Sequence, residues 1–341
     1  MLFIKPSYFD EFRCIASACT RSCCVGWQIM IDDQTEKKYQ RLGEEGDGFI
    51  LESVHLADHC FCQDKEKRCK MLDSDGLCEI IKRYGEGMLC DICKEHPRYY
   101  NVLPDRVEGG LGLCCITAAE SILAMDLPPR YVEGETDIRE SEDEEIYHFA
   151  LSVRGMIEKL LTKNALVSEI EKSILAIVEC IDDLAFDVAT GISSKEEALI
   201  ALSKAMEGEN CHFSPFPVSL YGIEVLERHK DGWGDFLLAT TFPTEGDYLQ
   251  PLFIECHKRL IFYFLHRYFV SASEDLSFAS RIILALSLAR AILDVALTRG
   301  ALADKEITLK EIAVVASEFS ESFEYSPENV KFYLSRIEGL L

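Results

Sequence analysis

From about residue 146 onward, apolar residues recur three and four positions apart, as in Ile170, Ile174, Leu175, Ile177 and Val178, and again in Ile282, Ala285, Leu286, Ala289 and Ile292. That spacing lines one face of a helix with hydrocarbon and turns it toward a core. It predicts helices near 142–163, 168–189, 194–207, 217–229, 247–271, 276–298, 307–320 and 326–340, and so an all-α second half. Ser326-Pro327 marks the start of the last, with Ser at the N-cap and Pro in the first turn. The first 127 residues are less regular. A short strand is expected at 27–31, a helix at about 34–42, and shorter helices at 78–84 and 87–95. Pro104-Asp105 is a turn dipeptide between two strand-like arms, 99–103 and 106–113, which predicts a hairpin ahead of a helix at 117–125. Between them and the helical half, 128–145 (PPRYVEGETDIRESEDEE) has the composition of a solvated linker.

Charge narrows the partners. The 341 residues hold 59 Asp+Glu against 35 Lys+Arg, a net charge of −24, which argues against a surface built to neutralise phosphates or anionic lipid. Nucleic acid and membrane are therefore not expected as partners, while a lysine-bearing protein is compatible. With 48% hydrophobic residues the chain is long enough for substantial cores. Residues 1–12 carry no signal-peptide pattern, and the most apolar stretch, 278–297, contains Arg281, Arg290 and Asp294, so it is read as a buried helix. The expected location is the cytoplasm, where fifteen cysteines serve as thiols or metal ligands rather than as a disulfide framework.

Twelve of the fifteen cysteines precede residue 116. Cys14-x4-Cys19-x3-Cys23-Cys24 places four thiols in eleven residues, followed by Cys69-x8-Cys78-x14-Cys93 and Cys114-Cys115. Thiolates are soft ligands for Zn²⁺ and for iron–sulfur clusters, and irregular backbone around many of them is what a ligand-organised module looks like. The expected fold is thus mainly α: an irregular Cys-rich N-terminal metal module (1–127) with a short β-hairpin, an acidic linker (128–145) and an all-α domain (146–341) that docks substrate. The spacing does not choose the metal. Tandem CxxC pairs of a zinc ribbon are absent, and Gly26 stands where a CxxxCxxC run would need its third cysteine. Adjacent Cys23 and Cys24 cannot readily face one small ion, so one of them serves a second centre or a hydrogen bond to the first. A separate zinc site from His55, His59, Cys60 and Cys62 is an alternative. Cys180, Cys211 and Cys256 read as small buried hydrophobes, and Cys60, Cys62, Cys90 and Cys114 as spare thiols. Glu108-Gly109-Gly110-Leu111-Gly112 lacks the alternating α/β context of a dinucleotide loop and reads as a tight turn or bulge. Trp27 is expected to pack the module's core, Arg98 to form a salt bridge, and 261–264 to be core.

Lys5-Pro6, Phe12-Arg13-Cys14 through Cys19, Ser22-Cys23-Cys24-Val25-Gly26-Trp27 and Ile31-Asp32 together resemble the flagellin lysine-N-methylase family. Cys69-Lys70-Met71-Leu72, Asp75-Gly76-Leu77-Cys78-Glu79-Ile80, Cys93-Lys94-Glu95-His96-Pro97-Arg98 and Cys115 with Ala118-Ala119 agree with its later elements. The resemblance covers roughly the first 120 residues. The sequence departs from the family at Lys70-Met71 and at Ile116-Thr117. The resemblance implies a metal set of Cys14, Cys19, Cys23, Cys24, Cys69, Cys78, Cys93 and Cys115, holding a [4Fe-4S] cluster, with Zn²⁺ as the alternative. It also implies methyl transfer from S-adenosylmethionine to flagellin lysines, with an iron free of protein thiolate as one way to hold the methyl donor. Catalytic and S-adenosylmethionine-binding residues are not assigned. The rival readings are a non-enzymatic zinc-binding interaction module and a redox or metal-handling protein.

Overall fold

The computed structural model describes residues 2–136, 145–208, 249–324 and 326–339. The fold is mainly helical with a small sheet, as expected. The sheet has four strands in the order β4-β5-β1-β6, where β1 is Leu2–Pro6, β4 Arg98–Val102, β5 Arg106–Leu111 and β6 Tyr131–Glu135, and a separate antiparallel pair is made by β2 (Val54–His55) and β3 (Cys60–Phe61). The predicted hairpin is β4–β5, antiparallel with Tyr99 opposite Gly110 and Val102 opposite Val107. What periodicity did not show is its partner, since β1 runs parallel to β5 (Phe3 opposite Val107) and antiparallel to β6. Five residues of the expected linker are therefore a strand: Val132 and Gly134 of β6 lie opposite Lys5 and Phe3.

The glycine run is neither turn nor bulge but the middle of β5. A Cβ on Gly109 would stand 2.8 Å from the Phe3 ring, and one on Gly110 2.3 Å from the Tyr99 ring. Glycine is needed because aromatic rings from both neighbouring strands lie flat on the backbone. Trp27 to Ile31 forms no strand; Gly26 takes φ +99 and the backbone of the stretch meets that of 59–61 through two hydrogen bonds, Ile31 N–H to His59 O (2.7 Å) and Phe61 N–H to Ile29 O (3.0 Å).

In the amino-terminal part the helices are α1 (Tyr8–Glu11), α2 (Asp33–Glu44), α3 (Glu79–Tyr84), α4 (Asp91–Glu95) and α5 (Ile116–Ala124). The helical half supplies α6 (Glu145–Leu161), α7 (Val167–Leu175), α8 (Ile181–Ala189), α9 (Lys195–Glu207), α10 (Pro251–Tyr268), α11 (Phe278–Ala303), α12 (Leu309–Phe323) and α13 (Pro327–Glu338). The helix expected at 168–189 is two, because the backbone tightens to three-residue hydrogen bonds at Ile177, Val178 and Cys180, which keeps Ile177 and Val178 both in the core. Ser326 caps α13 by accepting the Asn329 N–H at 3.3 Å. The helix expected at 217–229, and Cys211, lie outside the described residues. Among the described residues no helix is long and apolar enough to cross a membrane; in α11, Arg281 pairs with Asp275 at 2.7 Å and Arg290 with Glu171.

The hydrophobic cores do not divide at 128–145. A large one joins Tyr8, Phe9, Phe12, Leu111, Leu113 and the buried face of α5 to the helical half, while a small one gathers Ile29, Ile31, Tyr39, Ile50, Phe61, Met71 and Ile80. The small core lies between β1 and β4 in sequence, so the thiol-rich segment is an insertion into a larger unit.

Charges buried in the large core are paired. The Arg154 guanidinium on α6 grips both oxygens of Glu108 on β5 at 2.6 and 2.7 Å, and Arg290 with His257 surrounds Glu171. Asp294 stands near them, and burial, with the Glu171 charge added, pushes its carboxyl up to about 7.

Two outcomes follow from this packing. Gly110→Ala should cost about 1–3 kcal/mol in denaturant unfolding, because a Cβ there collides with the Tyr99 ring; an unchanged midpoint would refute the contact. The raised carboxyl of Asp294 means that its protonated form stabilises the fold below about pH 4, and that this stabilisation is lost as pH rises toward about 7. Asp294→Asn should therefore gain stability over wild type progressively across that window, reaching up to about 4 kcal/mol and staying flat above it. A gain independent of pH would rule out Asp294 as the titrating group.

Candidate metal centre

After α1 the chain runs into a loop around a single 3-10 turn, Ala16–Ala18, which folds Cys14 and Cys19 back on each other. The Ala16 N–H donates to Cys14 Sγ at 3.4 Å, and Cys19 Sγ donates to the Arg21 carbonyl at 3.1 Å. Arg21 then fixes this loop to the helical half, its guanidinium reaching Glu318 at 2.9 Å and Glu321 at 2.6 Å on α12. Helix α12 packs on α5, and α5 begins at Cys115, its N-cap. Arg21 thus brings the loop to the helix pair that presents Cys115.

Cys14, Cys19, Cys23 and Cys115 lie within electrostatic reach of one another. A hydrogen bond to Cys24, burial, and then the charges of Cys24, Cys14 and Cys115 hold the Cys23 thiol well above its ordinary range. Burial raises Cys115, the Ala118 and Thr117 amides at the start of α5 oppose it, and Cys19 and Cys14 raise it further. As whole residues Cys14 and Cys23 are exposed and Cys19 and Cys115 half-buried, although the sulfurs of Cys23 and Cys115 are themselves largely desolvated.

Cys24 touches both neighbourhoods, hydrogen-bonded to Cys23 on one side and a charged neighbour of Cys69, Cys78 and Cys93 on the other. Its carbonyl accepts the Cys69 N–H at 2.8 Å, and its thiol, hydrogen-bonded by Cys23 and Ser22 and facing Arg68, falls to about 7 despite burial. Burial pushes Cys69 up to about 12, with Cys24, Cys78 and Cys90 as charged neighbours. Cys78 is raised by burial and senses Cys24 and Cys90, while amides of Ile81 and Ile80 lower it. Cys93 is held high by its hydrogen bond to Cys90, then by burial, and senses Cys24 and Cys69. Cys69 and Cys90 are buried, and Cys24, Cys78 and Cys93 pack against the small core.

The eight expected ligands therefore form two neighbourhoods, Cys14, Cys19, Cys23 and Cys115, and Cys24, Cys69, Cys78 and Cys93, which meet at the hydrogen-bonded thiols of Cys23 and Cys24. Cys90 belongs with the second group although the sequence reading left it a spare thiol; the signal was its spacing, Cys90-x2-Cys93. Cys78, Cys90 and Cys115 each precede the first residue of a helix (α3, α4 and α5), where free amides favour a thiolate. Thiols are the donors a soft metal or cluster would take, four of them in the first neighbourhood and five in the second once Cys90 is counted. The thiols are not drawn in around a single ion: among the described residues no three His, Cys, Asp or Glu side chains gather as a one-metal site.

The zinc site from His55, His59, Cys60 and Cys62 does not form. His59 pairs with Glu36 at 2.7 Å, His55 points to Asp58 at 4.0 Å, and buried Cys60 accepts a hydrogen bond from Gln28 at 2.9 Å. Trp27 packs against the small core and donates its indole N–H to the Cys23 carbonyl at 2.6 Å. Arg98 stacks on the Phe9 and Phe12 rings, 5.3 and 5.6 Å from their centroids, instead of forming the expected salt bridge. Ile261 to Phe264 are core as expected, as is Cys256, and Cys180 is half-buried. Sequence reading missed what Tyr263 adds: its hydroxyl accepts the Leu113 N–H at 3.2 Å and donates to Glu324 at 2.9 Å, fixing the backbone two residues before Cys115.

Arg21→Ala should free the first loop without touching the small core. In metal-free protein a thiol reagent should label Cys14, Cys19 and Cys23 severalfold faster while Cys69 and Cys90 stay slow; equal rates in variant and wild type would show that Arg21 does not hold the loop.

Against proteins of known name, the chain is 29% identical over 132 residues to the lysine-N-methylases of Salmonella choleraesuis (strain SC-B67) and Salmonella typhimurium (strain LT2), a match covering 35% of this chain and 32% of each of those. It is 27% identical over 127 residues to the flagellar biosynthetic protein FliU of Salmonella muenchen, covering 35% of this chain and 75% of that one. The chain thus spans about a third of the length of the lysine-N-methylases it matches. No family model and no solved structure matches it. What these relatives establish is a distant likeness to lysine-N-methylases over one third of the chain.

Proposed function

We propose that this protein is an iron–sulfur-dependent protein-lysine N-methyltransferase that moves the methyl group of S-adenosylmethionine to lysines of flagellin. The observation that carries the reading is the likeness to two proteins named lysine-N-methylase and one named for flagellar biosynthesis. The gathering of the eight expected cysteines into two sets of four supports its metal part. A [4Fe-4S] cluster takes four thiolates, so each set is the size of a fully ligated cluster. Bound there, such a cluster supplies cross-links that order irregular backbone and a local charge beside α5 and α12. Full ligation leaves no iron open for the methyl donor, so S-adenosylmethionine is held by protein groups.

The chemistry asked of the chain is modest in kind. The S–CH3 bond breaks as the N–CH3 bond forms, the lysine amine loses a proton, and S-adenosylhomocysteine leaves. An ammonium cannot attack, so the protein must strip that proton and align the amine with the sulfonium methyl. A net charge of −24 draws the lysine in.

Protein purified without oxygen should contain roughly eight iron and eight sulfide per chain, with a broad absorption near 400 nm. Incubated with flagellin monomer and S-adenosylmethionine, it should add 14-dalton steps to lysine peptides. Colourless protein that carries zinc and refuses iron on reconstitution would replace the cluster by structural zinc. Loaded protein that leaves flagellin unmodified would end the methyltransferase reading.

A further inference from the structure

The two edges of the sheet are built differently. Edge strand β6 reads Tyr-Val-Glu-Gly-Glu, with Glu133 and Glu135 on it, the charge and glycine content that discourage pairing. Edge strand β4 continues through Tyr99-Tyr100-Asn101-Val102-Leu103 with no Lys, Glu, Asp or Pro, and leaves Tyr100 44% and Val102 59% exposed. Its one charge, Arg98, is stacked on Phe9 and Phe12.

The hydrogen-bond parity of β4 is fixed at both ends. Pro97 O accepts the Gly112 N–H at 2.7 Å and the Leu103 N–H donates to Arg106 O at 2.8 Å. Odd-numbered residues therefore face β5. The N–H and C=O groups of Arg98, Tyr100 and Val102 point outward, and none has a backbone partner among the described residues. The strand is also stiffly mounted: Asn101 donates to the carbonyls of His266 and Arg267 at 3.1 and 3.3 Å, and the Tyr99 ring lies on Gly110. Tyr100 continues the Phe3–Phe9 ring cluster on the other face, 6.0 Å from each. A rigid, uncharged, apolar edge with alternate backbone groups open is the template on which an extended segment adds as a further strand.

We propose that this edge docks an extended lysine-bearing segment of the protein substrate by strand addition to β4. This rests on the methyltransferase reading for the substrate's identity. The occupant follows from charge and continuity. The chain carries −24, and Glu95 sits against the Tyr100 hydroxyl at 2.7 Å, so a cationic segment is favoured over an acidic one. The amino-terminal end of β4 joins the metal region directly, because Gly112, which bonds Pro97, is two residues before Cys114 and three before Cys115. Five paired residues span about 17 Å, so a lysine a few residues beyond the paired stretch is delivered to the first thiol group.

The test is amide hydrogen exchange on full-length, metal-loaded protein with two probes, flagellin monomer and a synthetic decapeptide alternating valine and lysine. The amides of Arg98, Tyr100 and Val102 should gain at least tenfold protection with either probe. Val102→Pro removes an outward N–H that β5 does not use, and should weaken binding at least tenfold with metal content and circular dichroism unchanged. If that variant does not fold, Val102→Lys should weaken binding through like charge, while Val102→Ile should not. Methylation of flagellin with β4 amides unprotected overturns the docking proposal and leaves the methyltransferase reading standing. Protection by the decapeptide with no methylation of flagellin does the reverse. Protection by neither probe overturns the docking proposal.

Discussion

One face of α12 holds the cysteine-rich insertion to the rest of the protein. Glu318 and Glu321, one turn apart, share the Arg21 guanidinium and so fix the first cysteine loop. Glu324, just past the end of the helix, accepts from Tyr263, Tyr268 and Ser320 and pairs with Arg267 at 3.0 Å, and through Tyr263 it fixes the backbone before Cys115. Two stretches of chain about a hundred residues apart thus meet because three carboxylates on one helix order them both. The Arg21 pairs retain some solvent contact, which screens them, so their contribution is mainly to geometry. Glu324 is nearly inaccessible, and removing it would leave Arg267 and two phenols without their acceptor.

The two cores differ in how they reach stability. The large one buries whole helical faces, and its ion pairs fix one element against another, Glu108 on β5 with Arg154 on α6 and Glu171 on α7 with Arg290 on α11, where hydrocarbon alone would leave them free to slide. The small one has few apolar side chains, and five thiols form part of its wall. A core of that size is marginal without cross-links. The cysteine-rich insertion is therefore the part of the fold with the least apolar burial of its own.

The helical half was legible because its residues repeat with the period of a helix, and the β4–β5 hairpin because Pro104-Asp105 separates two strand-like arms. The eight cysteines stood out as candidate ligands through density and resemblance. Adjacent Cys23 and Cys24 were expected to serve different places, and each does have its own set of neighbours although the two thiols touch; which thiols neighbour which depends on how distant loops fold. The glycines of β5 misled because glycine signals conformational freedom and contact with rings equally well, and only the fold shows Tyr99 and Phe3 lying on them. His55 and His59 had plausible ligand spacing, yet Glu36 on α2 claims His59, a partner 23 residues away that no local pattern reveals. β6 was hidden by its two glutamates and glycine, which read as linker until β1 supplies a mate.

The parallel pairing of β1 with β5 also sets an order of assembly. β1 is made first, but its neighbours in the sheet lie about a hundred residues or more further along, so it cannot take its place until the ribosome has released them. Everything between β1 and β5, including the first ten cysteines, emerges during that wait, tethered at one end only. When β1 finally slots between β5 and β6, Cys115 sits in the connection between those two strands, four residues past β5, so the last thiol of the first group is fixed only as the sheet closes. Gathering of that group thus waits for the sheet, whereas the second group has all its thiols in hand before the sheet exists.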